Sequence, residues 1–278
     1  YMKIKNLRYS IATMGLTLPL VLSGCSSSQV LKGAVDVLEK TIDNVEEKIA
    51  DKRAQIGGNS SSNDIVIDSE KIIKDYYDSG KITIIREYYE EYESEAYFLE
   101  VLDVLEEFIN KKAEAGEKEE IRVTIRRNIS KYSDETLQRF NKFLINCQVK
   151  KIKAESVNLE NISFVSNVTS LKEIYFNDCG ITDIDSLANL TNLEMLAIGN
   201  NKITNIDALS NLVNLKYLSL RSNDLSNVES LKNLTKLEEL GLGYNNISNI
   251  DALKNLTNLK TLILHYNNLS NIEVLSNL

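Results

Sequence analysis

Residue types able to do bond-making chemistry are thinly spread along this 278-residue chain. It has one histidine, His265, and three cysteines, Cys25, Cys147 and Cys179. No histidine or cysteine cluster has metal-ligand spacing, so no zinc site is expected. No serine or cysteine sits in a nucleophile motif, and no glycine-rich loop could cradle a phosphate. The run Asn177-Asp178-Cys179-Gly180 followed by Asp183 and Asp185 offers oxygen ligands of the kind calcium takes, but it misses the required loop spacing. A second cluster, Tyr76, Tyr77, Tyr88, Tyr89, Tyr92 and Tyr97, is interleaved with Glu87, Glu90, Glu91, Glu93 and Glu95. Tyrosine offers a flat face and a hydroxyl together and could grip a sugar or a cation. A helix face half buried in its own domain is the favoured reading. Carboxylate pairs of the glycosidase type carry no signal here, because 40 acidic residues make chance pairs plentiful. The expectation is a chain without catalytic residues, cofactor or metal, and a hydrolase within residues 64–142 is the least favoured reading.

The strongest regularity is one of architecture. Asn201, Asn223, Asn245 and Asn267 stand 22 residues apart, each inside the same apolar frame, for example Leu209, Leu212, Leu215, Leu218, Leu220, Asn223, Leu225, Val228 and Leu231. A fixed period this short means stacked repeats. Within each unit, Leu-x-Leu alternates with the period of a strand, so Leu218 and Leu220 face inward and Ser219 outward. The other apolar positions are three apart and suit a tight 3₁₀ return on the far side. The asparagine falls where the chain bends out of the strand, and its amide can satisfy backbone groups left unpaired there. Stacked turns would then carry an asparagine ladder.

This pattern, L-x-x-L-x-x-L-x-L-x-x-N-x-I-x-x-I, resembles the leucine-rich-repeat family, and its 22-residue length resembles the bacterial internalin-type subclass. The resemblance covers residues 143–278, about half the chain. It implies an α/β fold, a solenoid with a parallel sheet and short returns. Aligned backwards, Val165–Leu187 is a full turn with Cys179 at the asparagine place, and Phe143–Val165 is a degenerate one with Val157 there. A thiol donates a weak hydrogen bond and valine donates none. An atypical unit of this kind marks a stack's entry edge.

At the front, Lys3, Lys5 and Arg8 precede an apolar run from Ile11 to Leu22, then Leu22-Ser23-Gly24-Cys25. Basic, apolar and small residues in that order make a secretory signal over residues 1–24. The run is 12 residues long and contains Pro19, too short to span a membrane as a helix in its own right. Leu-Ser-Gly-Cys resembles the lipobox of bacterial lipoproteins, which implies cleavage before Cys25 and lipidation of that cysteine. Cleavage would move the formal charge from −8 to −11 by removing three cations. Nucleic acid, which requires a basic stripe, is not an expected partner. With Cys25 assigned to lipid, Cys147 and Cys179 are expected to stay reduced.

Residues 25–56 read as a lipid-anchored tether and helix, with Leu31, Val35, Leu38, Ile42, Val45 and Ile49 at heptad spacing. A single amphipathic stalk is favoured over a dimerising coil, so a homodimer through residues 31–49 is the alternative. Residues 57–63, Gly-Gly-Asn-Ser-Ser-Ser-Asn, form a flexible linker. Residues 64–142 follow the order strand (82–85), helix (94–112), strand (121–126), helix capped by Ser133 and running to Asn146, before a first repeat strand near Ile152. Parallel strands joined by helical crossovers can run straight into the repeat sheet, so this region is expected to be an α/β cap on the solenoid.

The frame also numbers a surface. Among the outward strand and rim positions, Tyr175, Tyr217, Arg221, Tyr244, His265 and Tyr266 are the residue types that dominate binding hot spots, while Ala197, Gly199, Gly241 and Gly243 leave a bland middle. The expected protein is non-enzymatic and lipid-anchored on the extracellular side of a bacterial membrane, and it binds an extracellular protein or envelope glycan through its concave sheet. A structural or assembly role in the bacterium's own envelope is the competing reading. Leu275 begins another unit, so further turns are expected beyond Leu278.

Overall fold

A computed structural model of the chain describes residues 82–84, 95–114, 121–125 and 128–277. The signal segment 1–24, Cys25, the helix expected over 31–49, the linker 57–63 and the tyrosines from Tyr76 to Tyr92 lie outside the described residues, as does the side chain of Tyr97. The described residues belong to one compact unit, Asn59–Leu278.

Eight parallel strands form a single sheet in strict chain order. Strand β1 (Ile82–Ile84) is followed by helix α1 (Glu95–Glu114), β2 (Arg122–Ile125) and helix α2 (Asp134–Asn146). Then come β3 (Lys151–Glu155), β4 (Glu173–Asn177), β5 (Met195–Ala197), β6 (Tyr217–Ser219), β7 (Glu239–Gly241) and β8 (Thr261–Ile263). From β3 on, the return legs are 3₁₀ turns such as Asp185–Leu187, Asp207–Leu209 and Glu229–Leu231. The register advances by one repeat per strand, with Ile152 beside Ile174, then Leu196, Leu218, Leu240 and Leu262. Burial alternates as the sequence pattern requires: Leu218 and Leu220 are fully buried and Ser219 is half exposed.

The first two strands continue the same sheet. Val123 of β2 lies between Ile82 of β1 and Ile152 of β3, all in parallel register. Eight strands about 4.8 Å apart give a face about 34 Å long. Helix α1 runs two residues past the expected end at Lys112 and buries Phe98, Leu102, Leu105 and Ile109, one stripe at helical spacing. Helix α2 starts where expected: Ser133 Oγ accepts the Thr136 N–H at 3.3 Å, and Asp134 and Glu135 sit in the positive first turn. Glu95 joins the helices by accepting from the Ser133 N–H at 2.5 Å and from the Ser133 and Thr136 hydroxyls at 2.8 Å each.

Aromatic rings join this α/β region to the first repeats. Phe98 of α1 meets Phe140 of α2 edge-on at 5.3 Å, Phe140 stacks on Phe164 at 5.2 Å, and Phe164 touches Phe176 of β4 at 6.1 Å. Asn141 adds hydrogen bonds from its amide to the carbonyls of Phe164 and Ser166, at 3.0 and 2.8 Å. The hydrophobic core is therefore continuous from α1 into the repeats.

Asparagine side chains bond the backbone at the end of successive strands. Asn223 lies 6% exposed, and its Oδ1 accepts the Ile203 N–H at 3.0 Å. Its Nδ2 donates to the carbonyls of Ile198 and Leu220, at 3.1 and 3.0 Å. Asn245 repeats this one turn later, taking the Leu225 N–H and donating to Leu220 and Leu242. Asn267 takes the Ile247 N–H and donates to Leu242 and Leu264, and Asn201 accepts two amides, those of Cys179 and Ile181. Each amide thus ties one turn to the turn before it.

At the entry the ladder changes. Cys179 Sγ donates toward the carbonyl of Asn177 at 3.2 Å but offers no side-chain oxygen to the turn behind. The Leu159 N–H, equivalent to Ile181 and Ile203 in later turns, is accepted by the Cys179 backbone carbonyl at 2.9 Å. Cys147 and Cys179 are both buried free thiols. Burial pushes their pKa values up to about 12 and about 11, so both are neutral packing groups.

Candidate functional site

Each turn leaves its strand through the same backbone bend. Ser156, Asp178, Asn200, Ser222, Tyr244 and Tyr266 occupy the position just before the ladder residue, and all six are left-handed, with φ between 53° and 57°. Asp, Asn and Ser adopt this conformation in turns because a short polar side chain can bond locally, whereas a bulky aromatic is disfavoured there. The bend points this column of side chains along the rim where the strands end.

This rim gathers four of the six residues singled out from the sequence, Tyr244 and Tyr266 in the column and Arg221 and His265 one position before it. Tyr244 and Tyr266 stack with centroids 4.3 Å apart and planes 17° apart. Arg221 lies over the Tyr244 ring at 4.9 Å, in cation–π range. His265 stands edge-on to both tyrosines, 5.0 Å from Tyr244 and 5.6 Å from Tyr266. Tyr266 is 71% exposed, Tyr244 40% and neighbouring Ile263 39%. His265 lies close over Gly243: a β-carbon at 243 would come within 3.1 Å of His265 Nε2, so the ring would have to shift by a few tenths of an ångström. The sequence offered Gly243 as bland floor; this close approach shows only when the next turn is laid on top of it.

The other two residues stand apart. Tyr175 lies four strands before β8 and belongs to a different network. Lys151 Nζ bonds Glu173 at 2.6 Å, the Tyr175 hydroxyl donates to the same carboxylate at 3.0 Å and also reaches Met195 Sδ, and the ammonium sits 4.4 Å above the Tyr175 ring. Burial pushes the Glu173 carboxyl up, but the hydrogen bonds from Lys151 and Tyr175 outweigh it and hold the group below its ordinary value. Burial and the bond to Glu173 push the Tyr175 phenol up. Tyr217 is half buried on β6 between these two clusters. Ala197 faces the concave side yet is 5% exposed, because a single methyl sits in register between the larger Tyr175 and Ser219.

Among the described residues, no three His, Cys, Asp or Glu side chains are placed to hold a metal ion, and no helix is long and apolar enough to cross a membrane. The run from Asn177 to Asp185 that looked like a calcium loop is spent internally. Asn177 Oδ1 accepts the Gly199 N–H at 2.8 Å, Asp178 accepts from Ser156, and Asp183 Oδ1 accepts the Asp185 N–H at the start of a 3₁₀ turn.

No curated protein matches the sequence. The family model for leucine-rich repeats in two copies matches residues 169–211, 213–255 and 235–277. Among solved structures, the chain is similar to an internalin of Listeria monocytogenes, 30% identical over 56% of this chain and 44% of that one, with a TM-score of 0.49. It is similar to internalin C2 of the same organism, at 30% identity over 57% of this chain and 64% of that one, with a TM-score of 0.47. A leucine-rich-repeat protein of Leptospira interrogans aligns at 18% identity over 66% of this chain and 55% of that one, with a TM-score of 0.46. The chain spans less than two thirds of each of these three. With the matched repeats carried on one parallel sheet with 3₁₀ returns, residues 169–277 are leucine-rich repeats and the fold is a leucine-rich-repeat solenoid.

Proposed function

We propose that this chain is a non-catalytic binding protein, held on the extracellular side of a bacterial membrane by lipid at Cys25, that engages a protein partner with the exit rim of its concave sheet. Arg221, Tyr244, His265 and Tyr266 form the contact, and Tyr175 and Tyr217 lie on the same face beyond it. One observation carries the reading. The left-handed column uses Ser, Asp, Asn and Ser in four turns and then places tyrosine in two successive turns, where an aromatic costs backbone strain. A strained, exposed aromatic pair flanked by a guanidinium has the composition of a binding hot spot, and an extended concave face is how solenoids present one. Residues 64–142 serve in this reading as the α/β cap, supported by β1 and β2 continuing the repeat sheet.

Two experiments test it. Affinity capture from culture supernatants and host-cell surface fractions should yield a partner that is lost with Arg221→Ala, Tyr244→Ala and Tyr266→Ala together; capture unchanged by all three ends the reading. Cell fractionation of a Cys25→Ala variant should move the protein from membrane to medium, and unchanged membrane association would remove Cys25 as the anchor.

A further inference from the structure

The opposite rim, where the strands begin, is built differently. Lys150, Lys172, Glu194, Lys216, Glu238 and Lys260 occupy one column at the repeat spacing. Glu194 lies between Lys172 at 3.3 Å and Lys216 at 2.8 Å, and Lys260 holds Glu238 at 2.6 Å. These pairs compensate the middle and far end of the column. The charges do not balance along the whole rim: a groove of about 570 Å³ is lined by Lys150, Lys172, Lys216 and Lys236, with one carboxylate, Glu194, shared by Lys172 and Lys216. Four lysines against one glutamate leave a surplus of three positive charges in a chain whose formal charge is −8. Lys150 and Lys236 have no ion pair among the described residues; Lys236 instead donates to Asn214 Oδ1 at 2.7 Å.

The rest of the lining consists of neutral hydrogen-bonding groups, from Gln148, Thr169, Ser170, Asn192 and Asn214. Asn192 and Asn214 are fixed in place by donating to the carbonyls of Thr169 and Thr191, at 2.8 and 2.9 Å, and the Asn214 side-chain oxygen in turn holds Lys236. Without an aromatic or apolar side chain in its lining, the groove offers nothing for a nucleic-acid base to stack on or for an apolar peptide to bury. The lysines from β3 to β7 span four strand spacings, about 19 Å, too long for one small anion and suited to several units of a chain. Lysine ammonium groups bind phosphate, sulfate and carboxylate as point charges, and amide and hydroxyl groups between them match hydroxyls.

We propose that this strand-entry groove binds a linear polyhydroxylated polyanion, a chain of sugars or polyols carrying phosphate, sulfate or carboxylate groups. The site is separate from the aromatic exit rim, so its occupancy and partner binding there stand or fall independently.

The test uses the full chain with three probes in titration calorimetry: a heparin dodecasaccharide, a glycerol-phosphate oligomer and poly-L-glutamate of matched charge. The first two should bind, more weakly as salt rises, and poly-L-glutamate, which lacks hydroxyls, should bind at least tenfold more weakly. Binding of the heparin fragment alone or of the glycerol phosphate alone assigns the anion type within the proposal. Lys150→Glu with Lys236→Glu should weaken binding at least about 30-fold, each lysine near an anionic surface contributing a factor of about five before the added negative charge is counted. Lys202→Glu with Lys254→Glu makes the same change in net charge elsewhere and should leave binding intact. If Lys150→Glu disturbs β3, Lys236→Glu alone should still show the fivefold loss. Equal losses in the two double variants, poly-L-glutamate binding as well as the sugars, or no binding of either hydroxylated probe would each overturn the proposal.

Discussion

Replacing Asn223 by alanine isolates one rung of the ladder, and its cost can be worked from the bonds that remain. The Ile198 carbonyl loses Asn223 but keeps the Asn201 amide at 3.0 Å, and the Leu220 carbonyl keeps the Asn245 amide at 3.0 Å. The Ile203 N–H has no second acceptor of this kind and is left buried and unpaired. One orphaned N–H costs about 1–3 kcal/mol, and two carbonyls reduced from two donors to one add about 1 kcal/mol more, so the variant should lose about 2–4 kcal/mol. Asn223→Cys should cost about half as much, because a thiol replaces one donor, as at Cys179, and the neighbouring N–H can turn to the backbone carbonyl, as Leu159 does. Urea unfolding gives the free-energy differences, and amide exchange at Ile203 reports the orphaned group directly. A loss under about 0.5 kcal/mol for alanine, or unchanged protection at Ile203, would refute the reasoning that the ladder stabilises the turns by satisfying buried backbone.

Two further outcomes follow from the site. Tyr244→Asn places a residue that tolerates the left-handed bend where an aromatic now sits, so thermal unfolding should show stability unchanged or up to about 1 kcal/mol higher while partner capture falls. In the Lys151–Glu173–Tyr175 network the Glu173 carboxyl is held below its ordinary value in the folded chain, so its stabilisation is present above the unfolded pKa and is lost as pH falls through the folded one. Comparing the chain with Glu173→Gln by urea unfolding from pH 7 downward should therefore show a difference that is constant at neutral pH and shrinks below about pH 4.5; because the group is partly exposed, it should not exceed about 1 kcal/mol.

Much of this was legible from spacing alone, and the reason is local. Alternation in Leu218-Ser219-Leu220 says which side chains face in, triplet spacing says the return is tight, and a buried asparagine every 22 residues must bond the backbone it is buried in. The helix cap at Ser133 and the strand at 122–125 were readable by the same means. A fixed repeat makes each residue's environment nearly a copy of the residue 22 before it, so neighbours in space can be counted from neighbours in sequence.

What the count could not supply was the outcome of side chains meeting across turns. The sequence ranked Tyr175 and Tyr217 equally with Tyr244 and Tyr266; the stacking of turns committed Tyr175 to Glu173 and Lys151 and left the later pair stacked on each other under Arg221. It carried no sign that both later tyrosines sit in a left-handed bend, since backbone dihedrals at a strand exit are set by the bonds the next turn makes, nor that His265 lies close over Gly243. The sequence reading did not single out the lysine column, and only the pairing of Lys172 and Lys216 to one glutamate shows where positive charge is left over. Repetition told the chain how to fold, and the exceptions to it, placed side by side only by the stacking, decided where it can bind.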